Sequence, residues 1–253
     1  MAIVVNSNIP SQMAAHHVRT TRDGLETAME RLSSGRRINS ADDDAAGAGI
    51  AARVMGEKRA TDMALRNAAD VISMAQIGEA ATVEIENMAL RVKELAVQKA
   101  SNTYKSTDQT LIGTEIAALL AEIDRIEGDT KLNGAVIPAA VTTVISTAGG
   151  TTDITLASIA VTTGATVANA DTMLGQIATI RGTFGAAINR MEYTINNLSN
   201  ISANLSSAHS RLMDADYAAE SAAVAKGQVL QQAGSAMLAQ ANASTQYVLQ
   251  LLR

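Results

Sequence analysis

The chain has 253 residues and a formal net charge of −5, with 47% hydrophobic but only 2% aromatic residues. This charge offers no broad cationic surface for neutralising phosphates, which argues against a nucleic-acid partner. Cysteine is absent, which excludes disulfides, thiolate metal sites and thiol nucleophiles, and we expect neither a cleavable leader nor a membrane-spanning run of about 18 apolar residues.

The first predicted element is a helix over residues 8–32. Its apolar side chains recur close to the helical period, at Met13, Val18, Leu25, Met29 and Leu32. Ser33, Ser34 and Gly35 interrupt this pattern with turn-forming residues. We interpret residues 36–56, which mix charges with three glycines, as a compact connector.

A second helix is predicted from residue 57 to residue 99, and at 1.5 Å per residue it spans about 60 Å. A helix of this length needs a packing partner along most of its course. The third helix is predicted over residues 108–126. A short polar turn separates it from the second, which favours antiparallel packing of the two.

The composition changes between residues 128 and 170, where Val, Ile and Thr alternate with Gly. Three short strands are predicted here, with Gly149-Gly150 as a hairpin turn between the first two: Val141–Ser146, Thr152–Ala157 and Ile159–Thr163. The helical pattern resumes over residues 172–207, and a final helix is predicted from Tyr217 to Leu252.

The last helix carries apolar residues with the stride of a coiled-coil seam, at Leu230, Met237, Ala241, Val248 and Leu252. Pairing it with the first helix leaves a slim two-helix stem, which buries too little to be stable alone. Contacts between copies would supply the missing burial. The predicted fold is therefore mainly α, a long antiparallel helical rod or coiled-coil bundle formed by both termini, with a small β-hairpin region in the middle.

Several runs of sequence carry a family resemblance. Residues 31–47 read Arg-Leu-Ser-Ser-Gly-Arg-Arg-Ile-Asn-Ser-Ala-Asp-Asp-Asp-Ala-Ala-Gly, and residues 210–218 read Ser-Arg-Leu-Met-Asp-Ala-Asp-Tyr-Ala. Residues 238–242 read Leu-Ala-Gln-Ala-Asn, and the chain closes Val-Leu-Gln-Leu-Leu-Arg. These runs resemble the terminal signatures of bacterial flagellins. The resemblance covers residues 1–133 and 171–253, although Arg36 stands where an apolar residue is usual.

The resemblance implies a structural subunit that polymerises into the extracellular flagellar filament used for swimming. It implies seven segments: an N-terminal inner-core helix (1–35), a connector (36–56), an outer-tube part (57–127), a β-rich surface excursion (128–170), a second outer-tube part (171–208), a second connector (209–218) and a C-terminal inner-core helix (219–253). The alternative is a hook–filament junction protein, which resembles flagellin at both ends but forms only a short ring.

Partners also follow from the resemblance. Copies of the same chain are expected first, then an export chaperone on about Ser221 to Leu252, the flagellar export apparatus, the filament cap and hook-associated proteins. A Toll-like innate receptor of animals recognises many flagellins, and the matching residues here are Arg91, Glu94, Leu95 and Glu115. Leu90 and Leu119 depart from the polar or basic residues usual there, which predicts weakened recognition.

Two sets of site residues are predicted. Packing between subunits is assigned to Val18, Leu25, Met29, Leu32, Leu230, Met237, Val248, Leu249 and Leu252. Ion pairs around the connectors are assigned to Arg31, Arg36, Arg37, Asp43, Asp44, Arg211, Asp214 and Asp216. The aspartates could instead suggest a Ca²⁺ or Mg²⁺ site, but EF-hand spacing is absent and charge pairing is favoured.

No catalytic signature emerges from the sequence. A nucleophile–base motif, a phosphate-binding glycine loop and a zinc-binding helix motif are all missing. His16 and His17 are adjacent, so on a helix they point about 100° apart and do not chelate from one face. We therefore expect no enzymatic activity, no cofactor and no metal.

Overall fold

A computed structural model describes the backbone of residues 7–132, 135–136, 140–144, 151–155 and 165–251, and the side chains of residues 7–131 and 165–244. Within these residues the helices are α1 (Ile9–Ser34), α2 (Ala45–Lys99), α3 (Ser106–Asp129), α4 (Val167–Met213) and α5 (Tyr217–Leu251). The predicted mainly α fold is confirmed. Contacts divide the chain into two compact units, one of residues 1–56 with 205–253 and one of residues 57–204.

The unit of residues 57–204 has a continuous apolar core along α2, α3 and α4. Its fully buried large side chains are Val71, Ile85, Leu95, Ile116, Ile123, Met173, Ile177, Phe184 and Met191. Buried alanines on α2, such as Ala68 and Ala75, bring little side-chain bulk to the helix contacts. The buried hydroxyl of Thr82 donates to the Gly78 carbonyl oxygen at 2.6 Å, so it adds no unpaired polar group to the core.

Polar contacts at the edges of this unit show that α2 and α4 are antiparallel. Ser202 Oγ donates to Asp62 Oδ1 at 2.7 Å, and Lys93 Nζ lies 2.7 Å from Asp171 Oδ1. As the partner on α2 advances along the chain, the partner on α4 recedes. Partly exposed polar pairs of this kind contribute little to the free energy of unfolding. Burial of the apolar core therefore supplies most of the stability of this unit.

Short strands lie between α3 and α4. β1 (Lys131–Leu132) pairs antiparallel with β2 (Ala135–Val136), and β3 (Ala140–Val144) pairs antiparallel with β4 (Thr151–Thr155). The predicted turn at Gly149-Gly150 and the predicted third strand, Ile159–Thr163, lie outside the described residues. The hairpin arrangement as a whole therefore stays a prediction.

The start of α2 differs from the expectation. The helix begins at Ala45, so the connector after α1 spans residues 35–44 instead of extending to residue 56. Asp44 explains the early start, since its Oδ1 accepts a hydrogen bond from the Gly47 amide at 2.8 Å and so caps the first turn. Gly47 is buried, and a Cβ atom there would overlap the Asp44 carboxylate and lie 2.9 Å from Ile38 Cδ1. Glycine is therefore needed at position 47, in the first turn of α2, because Asp44 and Ile38 leave no room for a side chain.

Gly47 and Gly49 provide a matched test of this start. Gly47→Ala is expected to lower the free energy of unfolding by about 1–3 kcal/mol, because the added methyl group overpacks the cap. Gly49→Ala is expected to raise it by up to about 1 kcal/mol, because that position is open and alanine favours helix. Chemical unfolding followed by circular dichroism measures both, and equal effects of the two variants would contradict the packing explanation.

Candidate functional site

The terminal helices α1 and α5 pack against each other, and their contacts recur at steps of seven or eight residues. A Cβ atom added to Gly227 would lie 3.2 Å from Leu25 Cβ, and one added to Gly234 would lie 2.5 Å from Val18 Cγ2. Seven residues before Val18 on α1 and eight after Gly234 on α5, Ser11 Oγ donates to Asn242 Oδ1 at 3.0 Å. The order of these contacts makes the pair antiparallel, as predicted, with side chains of α1 seated on glycines of α5.

The glycine contacts also reveal which face of α5 points toward α1. Leu230 and Met237, predicted for the seam, flank this contact in the space between α1 and α5 and stay largely solvent-exposed, at 45% and 63%. Met29 of α1 is 52% exposed. Gly227 and Gly234 were not among the predicted site residues, although their spacing of seven matches that of Leu25 and Val18 and was the available signal.

An open groove of about 460 Å³ runs between α1 and α5 beside these contacts. Its walls are small or apolar for the most part, and they come from both helices: Pro10, Ala14, His17, Val18, Thr21, Leu230, Ala233, Gly234 and Met237. Large apolar side chains left in water are a frequent mark of an interaction surface. The paired termini therefore offer a ready apolar surface to a partner.

The residues predicted to pack between subunits differ in their solvent exposure. Val18, Leu25 and Leu32 are half-buried, whereas Met29, Leu230 and Met237 are exposed. The backbone of residues 248 and 249 belongs to α5, but their side chains, like Leu252, lie outside the described residues. The assignment of these residues to contacts between subunits stays a prediction.

The two connectors are joined chiefly by backbone groups. The Arg37 amide donates to the Met213 carbonyl oxygen at 2.6 Å, and the Ala215 amide donates to the Gly35 carbonyl oxygen at 3.0 Å. Arg36 and Asp214 form the antiparallel bridge between them. Gly35 makes the turn possible because its φ of 71° lies in the left-handed region. These bonds hold the end of α1 beside the end of α4.

The side chains predicted to form connector ion pairs divide into several roles. Arg31 contacts two carboxylates, Asp43 at 3.6 Å and Glu220 at 3.5 Å, and Glu220 was missed by the sequence analysis. Asp216 accepts from the Ala218 amide at 2.9 Å and caps α5, much as Asp44 caps α2. Arg37 Nη2 donates to the Leu212 carbonyl oxygen at 2.8 Å.

For the remaining two residues, Asp214 accepts from the Ser210 hydroxyl, and Arg211 lies exposed in the last turn of α4. The carboxylates at 44, 214 and 216 thus satisfy amide and hydroxyl donors instead of arginines, because helix ends present amide groups that need acceptors. Among the predicted eight, Arg31 and Asp43 form an ion pair in the described part of the chain.

The Arg91 group is an exposed cluster of charges at the α2–α3 contact. Arg91 Nη2 lies 3.1 Å from Glu115 Oε1, and Arg91 Nη1 lies 3.1 Å from Glu94 Oε2. Hydrogen bonds to Glu115 and then to Glu94 raise the pKa of Arg91 above its usual value. Leu95 is buried in the core, so three of the four predicted receptor residues lie at the surface and the fourth supports them from below.

In the described ranges, no three His, Asp, Glu or Cys side chains are grouped so that they could hold a metal ion. None of the helices in the same residues combines the length and hydropathy needed to cross a membrane.

The carboxylate of Asp43 makes the stability of the first connector depend on pH. Amides of Asn39 and Ser40 donate to its carboxylate at 2.9 and 3.1 Å, and these bonds, with the charge of Arg31, lower the pKa of Asp43. A carboxyl group with a lowered folded-state pKa stabilises the fold above its unfolded pKa of about 3.9, and this contribution is lost as the pH falls.

Asp43→Asn should therefore unfold more easily than the original chain at pH 7, and the difference should shrink below about pH 4. Thermal unfolding at pH 7 and pH 3 measures this change. Asp42→Asn, in the same exposed turn, removes the same charge and serves as the control. A difference between Asp43→Asn and the original chain that is the same at both pH values would contradict the role of the carboxylate.

Comparison with known proteins identifies relatives over the whole chain. Residues 5–143 match the family described as bacterial flagellin N-terminal helical region, and residues 167–252 match the bacterial flagellin C-terminal helical region. A flagellin of Halalkalibacterium halodurans is 37% identical, over 99% of this chain and 100% of the relative. The flagellar filament 33 kDa core protein of Treponema phagedenis is 32% identical over the same shares. The crystal structure of Bacillus cereus flagellin has 29% identity and a TM-score of 0.41, and the match covers 53% of this chain and 88% of that one.

Proposed function

This chain belongs to the bacterial flagellin family, and we propose that it polymerises through the surface that α1 and α5 build together. It is a structural subunit of the flagellar filament, and the full-length matches to flagellins do not favour the hook–filament junction alternative. The observation that carries the proposal is the exposed apolar groove. Neighbouring copies in a filament would cover it and bury Leu230 and Met237 in its wall, and would also bury Met29, which is exposed on α1 outside the groove lining.

The physical argument rests on how little the terminal helices bury alone. α1 has Ala28 as its one fully buried residue among those described, and α5 has Gly227. The unit of residues 57–204, by contrast, has a continuous core. Burying a Leu or Met side chain from full exposure contributes about 1.5–3 kcal/mol. The three side chains are roughly half exposed in the single chain, so covering each adds about half of that, and the gain repeats in every copy of a polymer.

The remaining partners belong to the same proposal. The exposed apolar stripe of α5 needs protection before assembly, which suits a chaperone bound to residues 221–252 during export. Export through the flagellar apparatus would place the filament outside the cell. There the cap and the hook-associated proteins would contact its ends. The family is a structural one, and we propose that the chain has no enzymatic activity.

Met237 tests the assembly surface. Met237→Asp is expected to abolish seeded polymerisation, because a charge buried between copies stays unpaired. Met237→Leu keeps the apolar surface and should still form filaments. Electron microscopy of negatively stained protein after addition of filament seeds gives the readout, and a chain lacking residues 248–253 is expected to give no tubes.

The two Met237 variants must have equal helix content by circular dichroism before the comparison is interpreted. Long tubes from Met237→Asp would contradict the assigned surface. Short rings from the original chain would support the hook–filament junction alternative instead.

A second surface is proposed for recognition by an animal innate receptor, carried by the Arg91 charge cluster. Leu90, exposed beside it, replaces a residue that is usually polar or basic. Leu90→Gln is therefore expected to raise the response of reporter cells to purified monomer, because it restores a hydrogen-bonding group at the surface. Identical dose–response curves for the variant and the original chain would contradict this role.

A further inference from the structure

We propose that the contact between Val18 and Gly234 sets the register of the α1–α5 pair and thereby builds the assembly groove. The inference rests on the proposed function, because the groove matters for assembly. It assigns a specificity-determining role to one glycine, which acts by admitting a branched side chain at close range. Both residues also line the groove.

Several antiparallel registers compete in this pair. The glycines of α5 and the apolar residues of α1 both repeat every seven residues, so a slip of one heptad would seat Val18 on Gly227. Such a slip moves the helices about 10 Å past each other, at 1.5 Å per residue. Apolar burial alone discriminates poorly between these arrangements, and the wrong one would bring different side chains to the groove.

The fit at Gly234 is tighter than the fit at Gly227. A Cβ atom at 234 would lie 2.5 Å from Val18 Cγ2, whereas the nearest atoms to a Cβ at 227 are 3.2 Å away and belong to the more flexible Leu25. Valine is branched at Cβ and keeps one strongly preferred rotamer in a helix, so its methyl group cannot swing aside without strain. Val18 therefore accepts glycine at its contact point and rejects alanine.

Polar contacts at the two ends agree with this register. At one end Asn8 Nδ2 donates to the Ala241 carbonyl oxygen at 3.1 Å, and Ser11 Oγ donates to Asn242 Oδ1. At the other end Tyr217 Oη donates to the Leu32 carbonyl oxygen at 2.9 Å. A slipped pair would lose all of these bonds together, so a disturbance at Gly234 is propagated along the stem.

The absence of cysteine makes the register directly measurable. Cysteines at Ser11 and Asn242, joined by a short bismaleimide, report the native register. Cysteines at Ser11 and Ser235 report the pair slipped by one heptad. Peptide mapping by mass spectrometry identifies crosslinks within one chain, and the same samples are then seeded to measure filament formation.

The original chain is expected to crosslink at 242 and not at 235. Gly234→Ala should lower the 242 crosslink about tenfold, since overpacking a close contact costs roughly a factor of ten or more in the equilibrium. It should also lose filament formation. Val18→Ala combined with Gly234→Ala removes the colliding methyl group and should restore both readouts. Gly24→Ala, at an open position of α1, controls for helix propensity.

Each other outcome has a distinct meaning. An unchanged 242 crosslink in Gly234→Ala, or failure of the double variant to restore it, would overturn the register role. Absence of the 242 crosslink in the original chain would overturn it too. Loss of the 242 crosslink with normal filaments would instead contradict the proposed assembly surface and leave the register assignment supported.

Discussion

The close approach of α1 and α5 is the constraint on which the terminal unit depends. Among the side chains that the structure describes on these helices, residues 9–34 and 217–244, no large apolar one is fully buried, so their pairing relies on a few contacts in which Val18 and Leu25 pack against glycines. Small residues at a helix contact let the backbones approach and increase van der Waals contact along the interface. Because small residues form the contact, Met29 of α1 and Leu230 and Met237 of α5 remain largely exposed.

The two units differ in where their large apolar side chains lie. The unit of residues 57–204 buries Phe184 and several Ile and Met side chains in a core of its own, whereas the terminal unit keeps Met29, Leu230 and Met237 in water. A subunit that must associate with many copies needs apolar surface that its own fold does not consume. The glycine contacts satisfy the pairing of the helices without using that surface.

Much of the fold could be predicted from the sequence because long proline-free segments with a helical period leave few alternatives. The start of α2 could not be predicted, because glycines usually mark turns. The closeness of Ile38 to Gly47 in the folded chain shows that this glycine is needed inside the helix. The α5 seam illustrates a related limit. Its heptad spacing was readable, but hydrophobicity selects Leu230 and Met237, which flank the contact. The closest approach to α1 is at Gly227 and Gly234, and glycine carries no apolar signal. In the connectors, the opposite charges suggested ion pairs. Arg31 and Asp43 form one, whereas Asp44 and Asp216 cap helix ends.

The backbone bridge between the connectors has a consequence for sequence variation. Gly35, Arg37, Met213 and Ala215 meet there through amide and carbonyl groups. Gly35 is favoured by its φ of 71°, but at the other three positions the bonds do not depend on the side chain. Arg36 is exposed at this bridge, so its side chain can change without loss of the pairing. The joint can thus be inherited unchanged while its outer side chains diversify, and relatives can differ in surface chemistry at this point yet share the same path of the chain.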